Sequence, residues 1–307
     1  MAMRTLILVA VAVAFLGVTL YVTLDARDTV AEILACPLQV EERAQHPGMV
    51  WIPGGTFEMG GDVYPEEGPR RTVSVDGFWM DRTEVTNADF ATFVKETNYV
   101  TVAERASNPG AAVFVMPSGD ADLSTAAAWW SYVKGANWKH PGGPDTSIET
   151  RDHFPVTALA YEDVAAYAKW KGRALPTEAQ WEWAARAGAP YTDDHPQSKD
   201  ANTWQGVFPL INTSEDGFAG GAPVGCFKPN AYGLNDMIGN VWEWTADIYA
   251  GHAPAAHVIK GGSYLCAANY CLRYRPEARQ PQEADLGTSH LGFRTVLNAP
   301  AQKSPVQ

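Results

Sequence analysis

Two cysteines only five residues apart, Cys266 and Cys271, restrict the local backbone of this chain strongly. Residues with this spacing face opposite sides of a straight strand and lie roughly 140° apart around a helix. Both thiols can therefore serve one site only if residues 267–270 form a turn. Such a pair can form a structural disulfide, hold a soft metal ion or take part in redox chemistry. The spacing alone leaves these three possibilities open.

The composition indicates an acidic globular protein. The 307 residues include 23 Lys and Arg against 35 Asp and Glu, which gives a formal net charge of −12. This balance argues against nucleic acid as a partner, because phosphate binding needs a concentrated basic face. The 11 Trp and 27 Gly residues together predict a fold rich in turns and aromatic clusters.

Residues 5–24 form an uncharged, largely apolar run that could span a bilayer as a helix of about 30 Å. Arg4 precedes this run and no net positive charge follows it, so residues 1–4 are expected in the cytoplasm. The run predicts a transmembrane signal anchor, with a cleaved signal peptide as the alternative. The soluble domain would face the periplasm or exterior of a bacterial cell, or be secreted after cleavage. In an exported protein Cys36 and Cys226 could form a disulfide, but nothing in the sequence shows whether they pair.

The chain after the apolar run divides into three parts. Residues 25–48 predict a polar linker, residues 49–298 predict the folded domain, and residues 299–307 predict a disordered tail. Few segments of the domain show regular periodicity, which favours a loop-rich α+β class. Residues 105–150 are expected to form an irregular but ordered functional loop.

Three helices and several short strands are predicted inside the domain. Capping signals and apolar spacing place two helices at residues 87–96 and 162–171, and a third from Thr177 to just before Gly188. The predicted strands begin at Met49 and otherwise cover residues 72–75, 78–80, 241–244, 258–260 and 291–295.

The motif content excludes several common classes of enzyme. The sequence contains no G-x-S-x-G elbow, phosphate-binding P-loop or Rossmann glycine fingerprint, which argues against hydrolase, kinase and nicotinamide chemistry. Two cysteines without a nearby histidine provide too few ligands for a zinc ion, but two thiolates suffice for Cu(I). Two oxygen-rich segments, 202–218 and 235–243, could bind calcium, although their spacing alone favours plain turn-forming residues.

Six segments occur in the order that is typical of the formylglycine-generating enzyme (sulfatase-modifying factor) family. They are Trp51–Gly60, Glu84–Asn87, Arg173–Trp183, Gly239–Trp244, Gly261–Tyr264 and Leu291–Arg294. Cys266 and Cys271, in Gly-Gly-Ser-Tyr-Leu-Cys-x-x-x-Tyr-Cys-x-Arg-Tyr-Arg, resemble the motif of the aerobic, copper-dependent members. This resemblance, which extends from about Met49 to Leu297, implies the irregular C-type-lectin-like α+β fold of that family.

The resemblance implies an oxidoreductase that converts the cysteine of a Cys-x-Pro-x-Arg motif in a sulfatase to Cα-formylglycine. Cys266 and Cys271 would hold Cu(I), dioxygen would be the co-substrate, and the sulfatase polypeptide would be the partner of a monomeric enzyme. Ser263 and Trp242 match residues that line the catalytic site. The residues that match substrate-peptide contacts are Glu84, Arg279, Ser289 and His290.

The resemblance also implies two structural calcium sites, which reverses the interpretation from spacing. The first set would be Asn202, the Thr203 carbonyl, Asp216 and the Phe218 carbonyl. The second set would be Asp236, the Gly239 and Val241 carbonyls, and Glu243.

Some positions depart from the family pattern. Ala267 and His290 replace a common histidine and asparagine, Asn108 stands where an acid helps to bind the substrate arginine, and residues 282–286 also differ. These differences concern peptide preference more than chemistry. The alternative function is a non-catalytic cell-envelope protein of the same fold, in which Cys266 and Cys271 form a stabilising disulfide.

Overall fold

The computed structural model describes most of the predicted domain. The described residues are Cys36, 45–117, 122–125, 128–188, 200–252 and 255–299. The predicted cytoplasmic end, the apolar run, most of the linker and nearly all of the tail lie outside these residues. Within the described ranges, no helix is long and apolar enough to cross a membrane.

The described part of the chain combines four α-helices with short strands and long connections. The helices are α1 (Asn87–Thr97), α2 (Val102–Arg105), α3 (Tyr161–Trp170) and α4 (Glu178–Arg186). The strands are β1 (Met49–Ile52), β2 (Gly55–Met59), β3 (Arg71–Val75), β4 (Phe78–Asp81), β5 (Gly110–Phe114), β6 (Trp130–Lys134), β7 (Gly206–Val207), β8 (Ile211–Asn212), β9 (Trp242–Ile248), β10 (Ala256–Lys260), β11 (Gln280–Glu283), β12 (Leu291–Gly292) and β13 (Val296–Asn298). The predicted loop-rich α+β class is confirmed.

Side-chain caps explain where two of the predicted helices begin. Thr86 Oγ1 accepts a hydrogen bond from Asp89 N, and the Asp89 carboxylate accepts one from Thr86 N, so α1 begins directly after Thr86. Thr177 and Gln180 cap α4 in the same reciprocal way. The three predicted helices are confirmed to within one or two residues, whereas the single turn of α2 was not predicted.

Two sheets position the cysteine segment. In one sheet β4 pairs with β1 and β13, and in the other the order is β11, β10, β9 and β12. Trp181 of α4 packs with Phe78 and Met80 in one buried cluster. A second buried cluster joins Phe293 and other aromatic residues to Cys266 and Cys271. The two thiols therefore lie inside a hydrophobic core.

Two of the secondary-structure predictions were wrong. The segment expected to be irregular, 105–150, contains the antiparallel pair β5–β6, whose strands are short and separated by a long connection. The strand predicted over 291–295 ends at β12, because Arg294 turns its guanidinium into the core. Thr295 N then donates to an Asp81 side-chain oxygen instead of a strand partner.

Cys36 and Cys226 form a disulfide, with their Cα atoms 5.0 Å apart across a sequence separation of 190 residues. Closing so long a loop removes many conformations from the unfolded chain. Cys36→Ser should therefore lower the free energy of unfolding by about 2–5 kcal/mol, measured by guanidinium denaturation without reductant. Wild-type protein reduced with dithiothreitol is the control and should lose about as much. An unchanged denaturation midpoint in the variant would contradict this prediction.

Candidate active site

Residues 267–270 form the turn that a shared site for the two cysteines requires. The Ala267 carbonyl accepts hydrogen bonds from Tyr270 N at 3.1 Å and from Cys271 N at 2.8 Å. This turn brings Cys266 Sγ within 3.2 Å of Cys271 Sγ, and both residues are free thiols. They are only 2% and 8% exposed. The pair is one buried dithiol site.

The two thiols differ in acidity although they are neighbours. The hydrogen bond from Cys266, assisted by the backbone and guanidinium of Arg273, lowers the pKa of Cys271 to about 7. Burial, together with the neighbouring Cys271, raises the pKa of Cys266 well above its usual value. Near neutral pH, Cys271 can therefore supply a thiolate beside the protonated Cys266. Thiolate is the form of cysteine that binds soft metals and attacks electrophiles.

The backbone around Cys266 is held on both sides. Cys266 N donates to the Ser263 carbonyl and the Cys266 carbonyl accepts from Trp204 N, each at 2.9 Å. Ser263 is completely buried. Trp242 belongs to the same buried cluster as the two thiols, and its backbone N donates to the His290 carbonyl. The structure therefore places Ser263 beside Cys266, and Trp242 in the hydrophobic core that also contains the dithiol.

A cleft of about 470 Å³ has Tyr264, which lies two residues before Cys266 in the chain, in its wall. Phe114, Tyr264 and Ser289 line it together with Arg151. Ser289 Oγ accepts a hydrogen bond from Phe114 N at 3.1 Å, which fixes the hydroxyl at the wall of the cleft. The cleft combines an aromatic ring, hydroxyl groups and a guanidinium, so it offers both apolar and polar contacts to a peptide.

His290 is held as a neutral side chain. Its Nδ1 lies 2.8 Å from Thr288 Oγ1, and its ring centroid lies 4.7 Å from that of Trp130. Loss of solvation lowers the pKa of His290 to about 3. The imidazole can therefore exchange hydrogen bonds but carries no positive charge at neutral pH.

Glu84 and Arg279 belong to polar networks within the fold. Glu84 is 1% exposed, and its Oε1 accepts a hydrogen bond from Asn240 Nδ2 at 3.0 Å. Arg279 donates to the Glu178 carboxylate through two nitrogens, at 2.6 and 3.1 Å. Their role in peptide binding stays a prediction. Arg279, which also lies over the ring of Tyr249, is the more accessible of the two.

Sequence reasoning did not single out Trp204 and Arg273, although both support the dithiol. Trp204 is the residue after the predicted ligands Asn202 and Thr203, so its bond to Cys266 was hidden in a different segment. Arg273 lies two residues after Cys271, a spacing that places both side chains on one side of an extended backbone. That spacing was the available signal for Arg273.

Residues 37–299 match the sulfatase-modifying factor enzyme 1-like domain. The chain belongs to this family. It is 45% identical over 291 residues to the formylglycine-generating enzyme of Mycobacterium tuberculosis, covering 81% of this chain and 97% of that protein. It is also 39% identical over 282 residues to the inactive C-alpha-formylglycine-generating enzyme 2 of Mus musculus, covering 87% and 91% of the two chains. The resemblance inferred from the six segments is confirmed.

A solved structure supports the same fold. PvdO from Pseudomonas aeruginosa superimposes with a TM-score of 0.59 at 25% sequence identity. The match covers 82% of this chain and 99% of PvdO. This similarity supports the fold of the sulfatase-modifying factor family for this chain.

The donor set at the dithiol fits the copper that the family resemblance implies. Cys266 and Cys271 supply two soft sulfur atoms, one of them as a thiolate near neutral pH. Among the described residues, no third His, Cys, Asp or Glu side chain joins the two cysteines in a metal-binding group. A copper ion here would therefore be held by the Cys266 and Cys271 sulfurs, and it could take a further thiolate from a substrate.

The first predicted calcium segment leaves a buried oxygen without a hydrogen bond. Asn202 is 1% exposed and its Oδ1 has no partner among the described residues. The Thr203 carbonyl and the Asp216 carboxylate both accept from the Gln205 amide nitrogen, so their oxygens converge. Phe218 N donates to the other Asp216 oxygen at 2.9 Å. A carboxylate, a backbone carbonyl and an unsatisfied amide oxygen in one segment are the kinds of ligand that calcium takes.

The second predicted calcium segment lies in a cluster with excess negative charge. The carboxylates of Glu84, Asp236 and Glu243 are close to the single guanidinium of Arg294. Burial raises the pKa of Asp236 to about 6 and also raises that of Glu84, whose Oε2 has no hydrogen bond. Glu243 already binds Arg294 through both of its oxygens. A bound cation would offset the negative charge of Glu84 and Asp236 when both are ionised.

The two oxygen-rich segments contact each other and the cysteine segment. Gly239 adopts a φ of +78°, and a Cβ there would clash with the carbonyl oxygen of Asn202. Asn240 N donates to that same carbonyl at 2.8 Å, while Val241 continues buried into β9. Because Trp204 holds Cys266, a cation in either segment would stabilise the backbone that carries the dithiol.

Proposed function

We propose that this protein is a formylglycine-generating oxidoreductase, which uses dioxygen to convert the cysteine of a Cys-x-Pro-x-Arg motif in sulfatases to Cα-formylglycine. The observation that supports this most is the pair of free, buried thiols 3.2 Å apart in a member of the sulfatase-modifying factor family. A pair kept only for stability would be expected as a disulfide. The relatives named formylglycine-generating enzyme, at 45% identity, support the same activity.

Cys266 and Cys271 are the residues that would hold Cu(I), and the bound ion would supply one-electron chemistry toward dioxygen. Cys271 offers its thiolate first, and Cys266 must release a proton when both sulfurs act as ligands. The surrounding core excludes water from the pair. Overall, the cysteine side chain becomes an aldehyde and sulfide is released. Dioxygen is reduced to water with electrons from the client cysteine and an external thiol reductant.

The cleft provides the route for the client peptide in this proposal. The cleft wall contains Tyr264, which is two residues from Cys266 in the chain, and Ser289, which is one of the predicted peptide-binding residues. The Ser289 hydroxyl and the neutral His290 ring can exchange hydrogen bonds with a peptide backbone. Arg151 adds a positive charge that favours an acidic residue or carbonyl oxygen of the client.

A peptide assay tests the proposed substrate. The reduced, Cu(I)-loaded full chain is incubated in air with a Cys-x-Pro-x-Arg peptide, and mass spectrometry detects the aldehyde. We expect conversion of this peptide and little conversion of a matched peptide in which Ala replaces the Arg. An established formylglycine-generating enzyme serves as the positive control. Absence of aldehyde while that control is active would favour the non-catalytic alternative.

We further propose that both oxygen-rich segments bind calcium as structural sites. Calcium that binds only the folded state adds about 2.7 kcal/mol of stability at a hundredfold excess over its dissociation constant. Chelation with EGTA should therefore lower the midpoint of thermal unfolding, and added calcium should restore it. Asn202→Ala should lose much of this shift, whereas Asn108→Ala at an exposed asparagine should retain it. Equal calcium shifts in both variants would contradict the first site.

The proposed location is outside the cytoplasm, with residues 5–24 as a membrane anchor of a bacterial cell. The Cys36–Cys226 disulfide supports this location, because disulfides persist mainly in oxidising compartments. Protease treatment of intact spheroplasts tests it. Digestion of the domain in intact spheroplasts is the expected result, and digestion only after lysis would contradict the proposal.

A further inference from the structure

A short turn far from the cysteines in sequence packs against the residues that follow Cys271. The turn comprises Tyr64 and the 3-10 helix Pro65–Glu67. The hydroxyl of Tyr64 accepts a hydrogen bond from Leu272 N at 3.2 Å. The peptide group held by this bond is the one that directly follows Cys271. Tyr64 thus fixes the chain on the C-terminal side of the dithiol.

The same turn also holds the next side chain. The Arg273 guanidinium lies 3.9 Å from the ring centroid of Tyr64, a cation–π contact. Its Nε and a terminal nitrogen donate to Glu66 Oε1 at 3.0 and 2.5 Å. Arg273 is therefore clamped between an aromatic ring and a carboxylate.

An adjacent ion pair anchors the turn itself. Glu67 and Arg275 form a buried pair, with side chains 0% and 3% exposed. Glu67 also accepts from Val63 N, so its carboxylate connects both sides of the turn. Because Arg275 lies farther along the chain from Cys271 than Leu272 and Arg273 do, the main effect of this ion pair is on stability.

Backbone hydrogen bonds of Cys266 with Ser263 and Trp204 hold the chain on the N-terminal side of the dithiol. On the other side, the Ala267 carbonyl fixes Cys271 N, and the Tyr64–Glu67 turn fixes the following two residues. A hydrogen bond and an ion pair on this side would limit the rotation that separates the sulfurs. Groups that orient ligands in this way commonly change metal affinity by about 10–100-fold when they are removed.

We propose that Tyr64 and Glu66 are positioning residues that hold Cys271 at short distance from Cys266. They act through Leu272 and Arg273, respectively, and do not need to touch the substrate. The catalytic consequence rests on the proposed function, but the effect on the distance between the thiols does not.

The copper-free test is thiol–disulfide exchange with glutathione, using the reduced full chain. The S–S bond of oxidised glutathione breaks, the Cys266–Cys271 bond forms, and two molecules of reduced glutathione are released. Tyr64→Phe keeps the ring but removes the hydroxyl, so it should lower the equilibrium constant for this exchange by about fivefold. Glu66→Gln should lower it as well, because Arg273 loses a charged partner.

Asp62→Asn is the matched control. Asp62 lies in the same loop and pairs with Arg70 at the surface, with side chains 72% and 57% exposed. This variant should exchange like wild type. Circular dichroism and the unfolding midpoint establish that each variant is folded. A purely structural role for Tyr64 would lower the midpoint but leave the exchange constant equal to that of Asp62→Asn, and this result would overturn the proposal.

Kinetics with the client peptide give the second readout. Tyr64→Phe should lower kcat with little change in KM, because it displaces a sulfur without altering the cleft. If wild type forms no aldehyde but Tyr64→Phe still lowers the exchange constant, positioning stands and the proposed activity fails. If wild type is active and Tyr64→Phe matches Asp62→Asn in both assays, the activity stands and positioning fails.

Discussion

Replacing Cys271 with serine should abolish aldehyde formation, lowering kcat by at least about 10³-fold. Serine is close in size to cysteine, but its hydroxyl is a poor ligand for Cu(I) and does not ionise near neutral pH. The remaining Cys266 lies in the hydrophobic core, where burial still raises the pKa of its thiol and disfavours the thiolate. The measurement is the rate of peptide conversion by mass spectrometry, together with the Cu(I) affinity of the reduced protein.

Two further variants make this prediction specific. The Cys266→Ser, Cys271→Ser double variant should be no less active than either single variant, because the two sulfurs act as a unit. Cys226→Ser removes a cysteine that takes no part in the dithiol, so it should keep its activity per folded molecule. A Cys271→Ser protein that is folded and retains more than a tenth of wild-type activity would contradict a catalytic role for the pair.

The second large effect is expected on stability, from Arg294→Met. Arg294 is completely buried and binds Glu243 through Nε and a terminal nitrogen. In protein freed of calcium with EGTA, removing its guanidinium would leave the carboxylates of Glu243, Glu84 and Asp236 without a shared cation. The free energy of unfolding should fall by about 3–5 kcal/mol, the usual cost of breaking a buried ion pair on one side. Urea denaturation at pH 7 measures this loss.

The pH dependence of that loss tests its electrostatic origin. Burial raises the pKa of Asp236 to about 6, above the value of an exposed carboxyl in the unfolded chain. The folded state therefore takes up protons more readily than the unfolded state, and this contribution to stability is lost as pH rises through about 6. The deficit of Arg294→Met should consequently be smaller at pH 5 than at pH 7. Arg70→Met, at an exposed pair, should cost less than about 1 kcal/mol at both values.

Sequence predicted the features that depend on neighbouring residues. The helices at Thr86 and Thr177 begin at capping boxes, whose partners are three residues apart. Side-chain periodicity showed that Cys266 and Cys271 can serve one site only if a turn separates them, and that turn is present. These features could be predicted because the interactions that determine them are contained within one turn of chain.

Features that depend on residues far apart in the sequence were harder to predict. The spacing around Asn202 could not reveal that its Oδ1 is buried without a hydrogen-bond partner. The contact of Tyr64 with Leu272 joins residues 208 positions apart. The strand prediction at 291–295 was wrong because alternation does not reveal that Arg294 finds three carboxylates in the core. Family motifs supplied information that the local pattern lacked.

The most direct test of the central claim compares dioxygen consumption with aldehyde formation in one reaction. The reduced, Cu(I)-loaded full chain is mixed with a Cys-x-Pro-x-Arg peptide and a thiol reductant. An oxygen electrode and mass spectrometry then measure the two quantities over time. A catalytic dithiol predicts equal amounts of dioxygen consumed and aldehyde formed after subtraction of a Cys271→Ser blank. Dioxygen uptake equal to that blank, with the peptide cysteine unchanged, would contradict the proposed activity.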